Sequence, residues 1–235
     1  MFHRRPNRVL SGIYPPTCVL CGAPGHRGLD LCPGCFEDLP RNLSCCGRCA
    51  LPLPASRPGG ALCGACQRRP PPFSACHTAF IYKDPVPALV GGAKFRARLN
   101  LTRLLGQCLA LSLREQGGAM PELIIPVPLH PARQRERGYN QALEVARTLR
   151  RELSIPVDTR SCVRAQPTAP QAGLEQKARR RNVRGAFRVQ RAPEAAHVAL
   201  LDDVVTTGST VAELAKVLLK AGVERVDVWA VARTE

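Results

Sequence analysis

From about residue 77 to its end the chain alternates short apolar runs with amphipathic stretches; before that point it does not. Apolar segments at about 78–82 (TAFIY), 122–127 (ELIIPV), 155–163, 186–189, 197–202 (HVALLD) and 225–232 (RVDVWAVA) read as strands. Apolar positions spaced three and four apart predict a basic helical region over about 86–116. The same spacing predicts helices over about 140–152 (NQALEVARTLRRE) and 209–221 (STVAELAKVLLKA), the last stopped by Gly222. A polar stretch fills 164–183. Strands that alternate with helices predict an α/β domain, a mostly parallel sheet flanked by helices.

The front of the chain has another character. Ten of the 12 cysteines precede residue 77, most of them in pairs, among glycines and prolines and few large apolar side chains. QRRPPPFSA (67–75) reads as a stiff polyproline-type connector. The expected organisation is an extension over 1–17, a cysteine module over 18–66, a Pro-rich linker over 67–77 and the α/β domain over 78–235. Cys18-x2-Cys21 and Cys32-x2-Cys35 bracket ten residues; Cys46-x2-Cys49 and Cys63-x2-Cys66 bracket thirteen. Each pair brings two sulfurs to one ion, and two pairs complete a tetrahedral Zn2+ site, so two structural zinc ions are expected. A redox Cys-x-x-Cys would need one motif opening a helix rather than four in tandem. An iron–sulfur cluster or disulfides would be further uses for the same thiols. Cys45 adjoins Cys46, but the equal spacing favours Cys46; Cys76, Cys108 and Cys162 read as buried packing thiols. With so small an apolar content, metal would supply this module's folding energy.

No apolar run approaches the ~18–20 residues that span a bilayer. The start, MFHRRPNRVLSGIYPPTC, lacks the apolar core and cleavage site of a secretory signal. No integral membrane segment is expected, and a cytoplasmic location, where thiols stay reduced, suits the paired cysteines.

The net charge is +16, and 29 of the 34 basic residues are arginine. The densest patch, 160–191, holds nine basic residues against Glu175. This balance favours a polyanionic ligand, phosphorylated or nucleic acid, with a solvated basic surface as the plainer account. Aromatic platforms are missing from the patch: Phe187 is its sole aromatic and reads as core, so intrinsic affinity for single strands should be modest and salt-dependent.

The most informative run is Leu200-Leu201-Asp202-Asp203-Val204-Val205-Thr206-Thr207-Gly208-Ser209-Thr210. An apolar strand ends in two acids, and a hydroxyl- and glycine-rich loop then opens a helix. Backbone N–H groups over 206–210, four hydroxyls and the helix dipole would cradle a phosphate, and Gly208 lets the backbone approach it. Asp202 and Asp203 would accept bonds from sugar hydroxyls at the carboxyl end of the strand. An ordinary capped helix needs one such residue, not this many. No Walker-type Gly-x4-Gly-Lys-[Ser/Thr] and no nucleophile–His pair stands out.

This run resembles the phosphoribosyl-pyrophosphate (PRPP) loop of type I phosphoribosyltransferases. Further blocks narrow the resemblance to the ComF family of double-zinc-ribbon phosphoribosyltransferase-like proteins. They are Ala93-Lys94-Phe95; Ile125-Pro126-Val127-Pro128-Leu129-His130; Arg137-Gly138-Tyr139-Asn140-Gln141; and Arg164–Thr168 with Gln171 to Arg179-x-x-Asn182-Val183-Arg184-Gly185-Ala186-Phe187. Together with the cysteine units the resemblance covers about 18–232. Departures are mild: Tyr139 stands where the family usually has Phe, Ala50 where glycine often follows the cysteine, and Ser209 at a variable position.

The resemblance implies PRPP bound with Mg2+ at Asp202, Asp203, Thr206, Thr207, Gly208, Ser209 and Thr210. It implies Lys94, Arg133, Arg137, Arg164 and Arg179 as candidates for the pyrophosphate, with Arg135 beside them. His130 either bonds a ligand or shapes its turn. Transfer of phosphoribosyl to an unknown acceptor would follow, and Thr206, standing where purine-salvage enzymes carry a third acid, argues against a purine. The alternative implied is a non-catalytic DNA-uptake accessory protein that works with single-stranded DNA and a helicase-like ATPase.

Overall fold

A computed structural model describes residues 15–56, 60–95, 98–166 and 183–235, with Lys94 and Phe95 described by their backbone alone. The chain divides into two compact units, Met1–Pro40 and Arg41–Glu235.

In the first unit, bridges Thr17↔Pro24 and His26↔Leu29 fold the chain back on itself. A short helix α1, Pro33–Glu37, starts where Cys32 caps it: its sulfur accepts from Cys35 N at 3.4 Å. Proline at the first helical position has no N–H to leave unsatisfied. Cys18 and Leu31 are buried within the unit.

The second unit opens with the second cysteine turns, including helix α2, Gly64–Arg68. Strand β1, Ala75–Ile81, then begins three residues earlier than its apolar pattern predicts, because Phe73 is buried and Ser74 N already bonds Val226 O at 2.7 Å. Helices α3, Val86–Phe95, and α4, Leu99–Gln116, replace the single helical region expected over 86–116. Strand β2, Leu123–Pro126, follows, then helices α5, Pro131–Arg137, and α6, Gln141–Leu153. Strands β3, Cys162–Arg164, and β4, Phe187–Val189, form an antiparallel pair. Strand β5, His197–Val205, helix α7, Ser209–Lys220, and strand β6, Arg225–Arg233, complete the chain.

The strand expected over 155–163 is divided. Val157 makes one bridge to Ile124, then Asp158 Oδ1 accepts from Arg160 N (2.7 Å) and Ser161 N (3.1 Å) and turns the chain away. Asp is suited to this local turn, which competes with the strand ladder.

The main sheet has the order β1-β6-β5-β2, all neighbours parallel. Its central strands are buried on both faces, as parallel sheets require. Val198, Leu200, Val226, Val228 and Ala230 share one core cluster with Val211, Leu214 and Leu218 of α7. On α6, Ala142, Val145, Ala146 and Leu149 make the buried stripe. That helix packs on α4 so closely that a Cβ on Gly106 would meet Thr148 Cβ at 2.8 Å. The chain leaving β2 runs through α5 and α6 to Val157, which pairs with Ile124 on the side of β2 away from β5, whereas the chain leaving β5 runs the other way through α7 to β6. The carboxyl ends of β2 and β5 are therefore a topological switch point, where open α/β sheets place ligands.

Candidate functional site

Four sulfurs meet twice. The Sγ atoms of Cys18, Cys21, Cys32 and Cys35 lie within 4.8 Å of one another, as do those of Cys46, Cys49, Cys63 and Cys66. Cys21–Cys32 at 3.6 Å and Cys49–Cys63 at 3.7 Å match the ~3.8 Å edge of a tetrahedron with ~2.3 Å Zn–S bonds. Backbone amides fold toward sulfur, Cys63 N reaching Cys46 Sγ at 3.3 Å. Burial raises the Cys18 thiol, but the N–H groups of Cys32, Cys21 and Leu20 outweigh it and hold the pKa at about 6. Cys46 is held at about 7 in the same way, by the N–H groups of Cys63, Cys49 and Arg48 against burial. Cys35, crowded by the sulfurs of Cys21 and Cys32, and Cys66, by burial and then Cys49, are pushed the other way, a repulsion that a cation among the sulfurs relieves; four sulfurs at tetrahedral spacing fit zinc in both places. Four protein thiolates leave no open position, which makes these sites structural. Cys45 stands outside the second group, its thiol pushed up by burial and then by Cys46. Burial likewise drives the thiols of Cys108 and Cys162 up to about 12, as packing thiols require.

At the sheet's switch point, β5 runs three residues further than its apolar pattern predicts, so Asp203 as well as Asp202 stands inside the strand. Each carboxylate is pinned through Oδ1: Asp203 N donates to Asp202 at 2.8 Å, and Val204 N donates to Asp203 at 2.7 Å. The two acids have different charged neighbours. Asp203 lies in the field of Arg137, and Asp202 in that of Arg164.

The turn 206–208 then reverses the chain into α7. Gly208 has φ +71 and serves as N-cap, a left-handed conformation that costs L side chains energy. Thr207 and Ser209 hydroxyls pair at 2.7 Å, and Thr207 Oγ1 accepts from Ser209 N at 3.3 Å. Among the described residues, no backbone hydrogen bond uses the N–H of Thr207 or Gly208. All seven positions Asp202, Asp203 and Thr206–Thr210 are half-buried.

Beyond β2, His130 Nδ1 accepts from Ala132 N at 3.3 Å and so caps α5. Gly138 ends that helix in the left-handed conformation. Asn140 then donates through Nδ2 to Val127 O at 3.0 Å and accepts Ala142 N at 3.0 Å, tying the strand exit to the start of α6. Tyr139 Oη donates to Ala93 O, so the hydroxyl that distinguishes it from phenylalanine fastens this loop to the end of α3.

Three guanidinium groups meet here. Burial, then the like charge of Arg133, pull Arg137 below its usual pKa, and Asp203 opposes them. Arg164 is lowered by burial and by Arg133 and supported by Asp202, and it lies 5.4 Å from the Phe187 ring centroid. Arg133 thus acts against both Arg137 and Arg164, and each of these two is offset by one of the strand acids. The side chain of Lys94, and Arg179 altogether, fall outside the described residues. Gly185 N donates to Glu213 Oε1 of α7 at 2.9 Å.

Two contributors escape sequence reasoning. Asn140, the first residue of the helix expected over 140–152, stands outside it as the cap, and its bond to Val127 is set by tertiary approach. Arg233, only 8% exposed at the end of β6, sends Nη1 to Val205 O (3.2 Å) and to Thr206 O, and Nε to Cys49 O (3.1 Å). The single signal for it is a charge closing an apolar strand.

A double zinc ribbon domain matches residues 9–67. Over 227 residues the chain is 36% identical to DNA utilization protein YhgH of Escherichia coli O157:H7, covering 94% of this chain and 98% of that protein. It is 35% identical over 224 residues to Competence protein F of Haemophilus influenzae, covering 92% and 96%. Among solved structures, the glutamine PRPP amidotransferase of B. subtilis aligns with TM-score 0.36 and 18% identity, over 55% of this chain and 25% of the enzyme. A purine phosphoribosyltransferase of Pyrococcus horikoshii aligns with TM-score 0.32 and 18% identity, over 57% and 83%.

Proposed function

This chain belongs to the ComF family, and from that premise we propose that it binds PRPP with Mg2+ between the carboxyl ends of β2 and β5. The observation that carries the reading is the turn at 206–208, whose Thr207 and Gly208 amides have no backbone partner among the described residues. They precede the N-terminus of a 12-residue helix, an environment suited to a 5′-phosphate. Asp202 and Asp203 would accept from the ribose hydroxyls. Arg133, Arg137 and Arg164 would take the pyrophosphate, with Lys94 and Arg179 as further candidates. Mg2+ would neutralise charge on the pyrophosphate as it leaves. The chain's own part is to hold the sugar phosphate on rigid strand ends and to fix the arginines around the leaving group.

The names of its relatives, DNA utilization protein and competence protein, support a role in DNA handling. Two versions differ in chemistry. In the first, the protein transfers phosphoribosyl to an acceptor; in the second, PRPP is a regulator and the protein serves uptake beside single-stranded DNA and a helicase-like ATPase. The net charge of +16 favours a nucleic-acid role alongside the sugar-phosphate site.

The test uses the zinc-loaded protein. PRPP with Mg2+ should raise the melting temperature, and Asp202→Ala with Asp203→Ala should abolish the rise. Pyrophosphate release in a cell extract then separates transfer from regulation: binding without release assigns the second version.

A further inference from the structure

The second cysteine site and the turn at 206–208 share one side chain. Arg233 lies opposite Val205 in the β5–β6 ladder, and its guanidinium reaches in two directions. Nε donates to the carbonyl of Cys49, a member of the second four-sulfur group, at 3.1 Å. Nη1 donates to the carbonyls of Val205 and Thr206. Thr234 O, at 2.8 Å, closes the set.

These bonds orient the amides on the far side of the turn. In a trans peptide the C=O and the following N–H point in opposite directions. Holding the Val205 and Thr206 carbonyls toward Arg233 therefore turns the N–H groups of Thr206 and Thr207 away from it, toward the side where the anion would sit. The other end of the fork is fixed by the cysteine turn. Ala50 N bonds Cys46 O at 2.8 Å, and Ala50, fully buried at φ +55, takes Asn42 Nδ2 on its own carbonyl at 2.8 Å. A Cys46–Cys49 turn closed on zinc holds the Cys49 carbonyl still; without the ion no bond ties the four sulfurs together, and the carbonyl is released with them.

We infer that Arg233 is a positioning residue through which zinc occupancy of the Cys46/Cys49/Cys63/Cys66 site orders the phosphate turn. Occupancy of that site and binding of the phosphorylated ligand then strengthen one another. The ligand half of this rests on the PRPP reading; the ordering of the turn does not. Because coupling is reciprocal, ligand must also tighten the equilibrium hold on zinc. Arg233 is suited to the role because its rigid plane holds Nε and Nη1 at a fixed separation against two backbones, a geometry that lysine's single nitrogen does not reproduce.

Two measurements on the full chain test this. In the first, without ligand, hydrogen exchange of the 203–210 segment is compared in zinc-loaded wild type, Cys66→Ala and Arg233→Lys. Both variants should expose the turn, and the double variant should be no more exposed than either, as expected for groups acting in series. Unchanged exchange in Cys66→Ala, or additive exposure in the double variant, overturns the proposal. In the second, the equilibrium partition of zinc between protein and a chelator is measured with and without PRPP and Mg2+. Ligand should raise the affinity for the second ion about fivefold or more in wild type, the lower range of such couplings, and leave Arg233→Lys unaffected. An equal rise in Arg233→Lys refutes the role of the arginine. Wild type that binds no PRPP refutes the sugar-phosphate reading, and the exchange measurement then decides this one alone. Should a variant fail to fold, exchange of the turn in wild type during zinc removal decides: no change in the turn as the second ion leaves is the contradicting result.

Discussion

Asn140 and Val127 are joined by a 3.0 Å hydrogen bond from a side-chain amide to the carbonyl at the exit of β2. The same side chain caps α6 by accepting Ala142 N. One residue thus fixes the loop that carries Arg133 and Arg137 to the strand end it must face. Asn140→Ala removes the cap, worth about 1 kcal/mol, and leaves the carbonyl to water. Urea unfolding should show a loss of about 1–2 kcal/mol. Affinity for PRPP should fall by more than that stability loss explains, since two arginines lose their register.

Gly208 supplies a separate test. A Cβ there would stand 3.9 Å from Val205 Cγ1, which is ordinary contact, so space is not the obstacle. The φ of +71 is. Gly208→Ala should cost about 1–2 kcal/mol, the penalty of the left-handed conformation for an L residue. Measured by thermal unfolding and by PRPP titration together, it should lower both stability and affinity. A variant of native stability and native affinity would show that the turn does not keep this shape.

Metal content follows from the two sulfur groups. Mass spectrometry of the native protein should find about two zinc ions per chain, and Cys63→Ala should hold about one. Removing both by chelation should unfold the first unit, which buries few apolar side chains. A fully folded chain without metal would contradict the zinc assignment.

His77 gives the fold a pH dependence. Burial lowers its pKa to about 4, and its Nε2 pairs with Ser112 Oγ at 3.0 Å. The folded value lies below the unfolded one, so the unfolded chain binds the proton more readily. The contribution of His77 is therefore complete above about pH 6.5 and is lost as pH falls from there toward 4, by up to about 3 kcal/mol. Unfolding midpoints measured from pH 7 to 4.5 should fall steeply in wild type and less steeply in His77→Gln.

Much of the sheet was legible because β5 and β6 are apolar runs with no competing pattern, and the helix at 209–220 has both a stripe and a stop. Legibility failed where a local group overrode the pattern. The Asp158 carboxylate breaks a strand that the apolar count alone would continue. PARQRER, 131–137, has no apolar face and folds as a helix because His130 caps it and Pro131 starts it. At the site, the acids and the turn announced themselves by composition, whereas Arg233 and Asn140 act through partners distant in sequence. Nothing in their neighbours forecasts that.

Whether the turn after β5 holds a sugar phosphate is decided by calorimetric titration of the zinc-loaded protein with PRPP and Mg2+. A saturable isotherm with one site per chain is expected, weakened at least about tenfold, or ~1.4 kcal/mol, in Asp202→Asn with Asp203→Asn. A flat isotherm in the folded, metal-loaded wild type, or an isotherm indifferent to both substitutions, would contradict it.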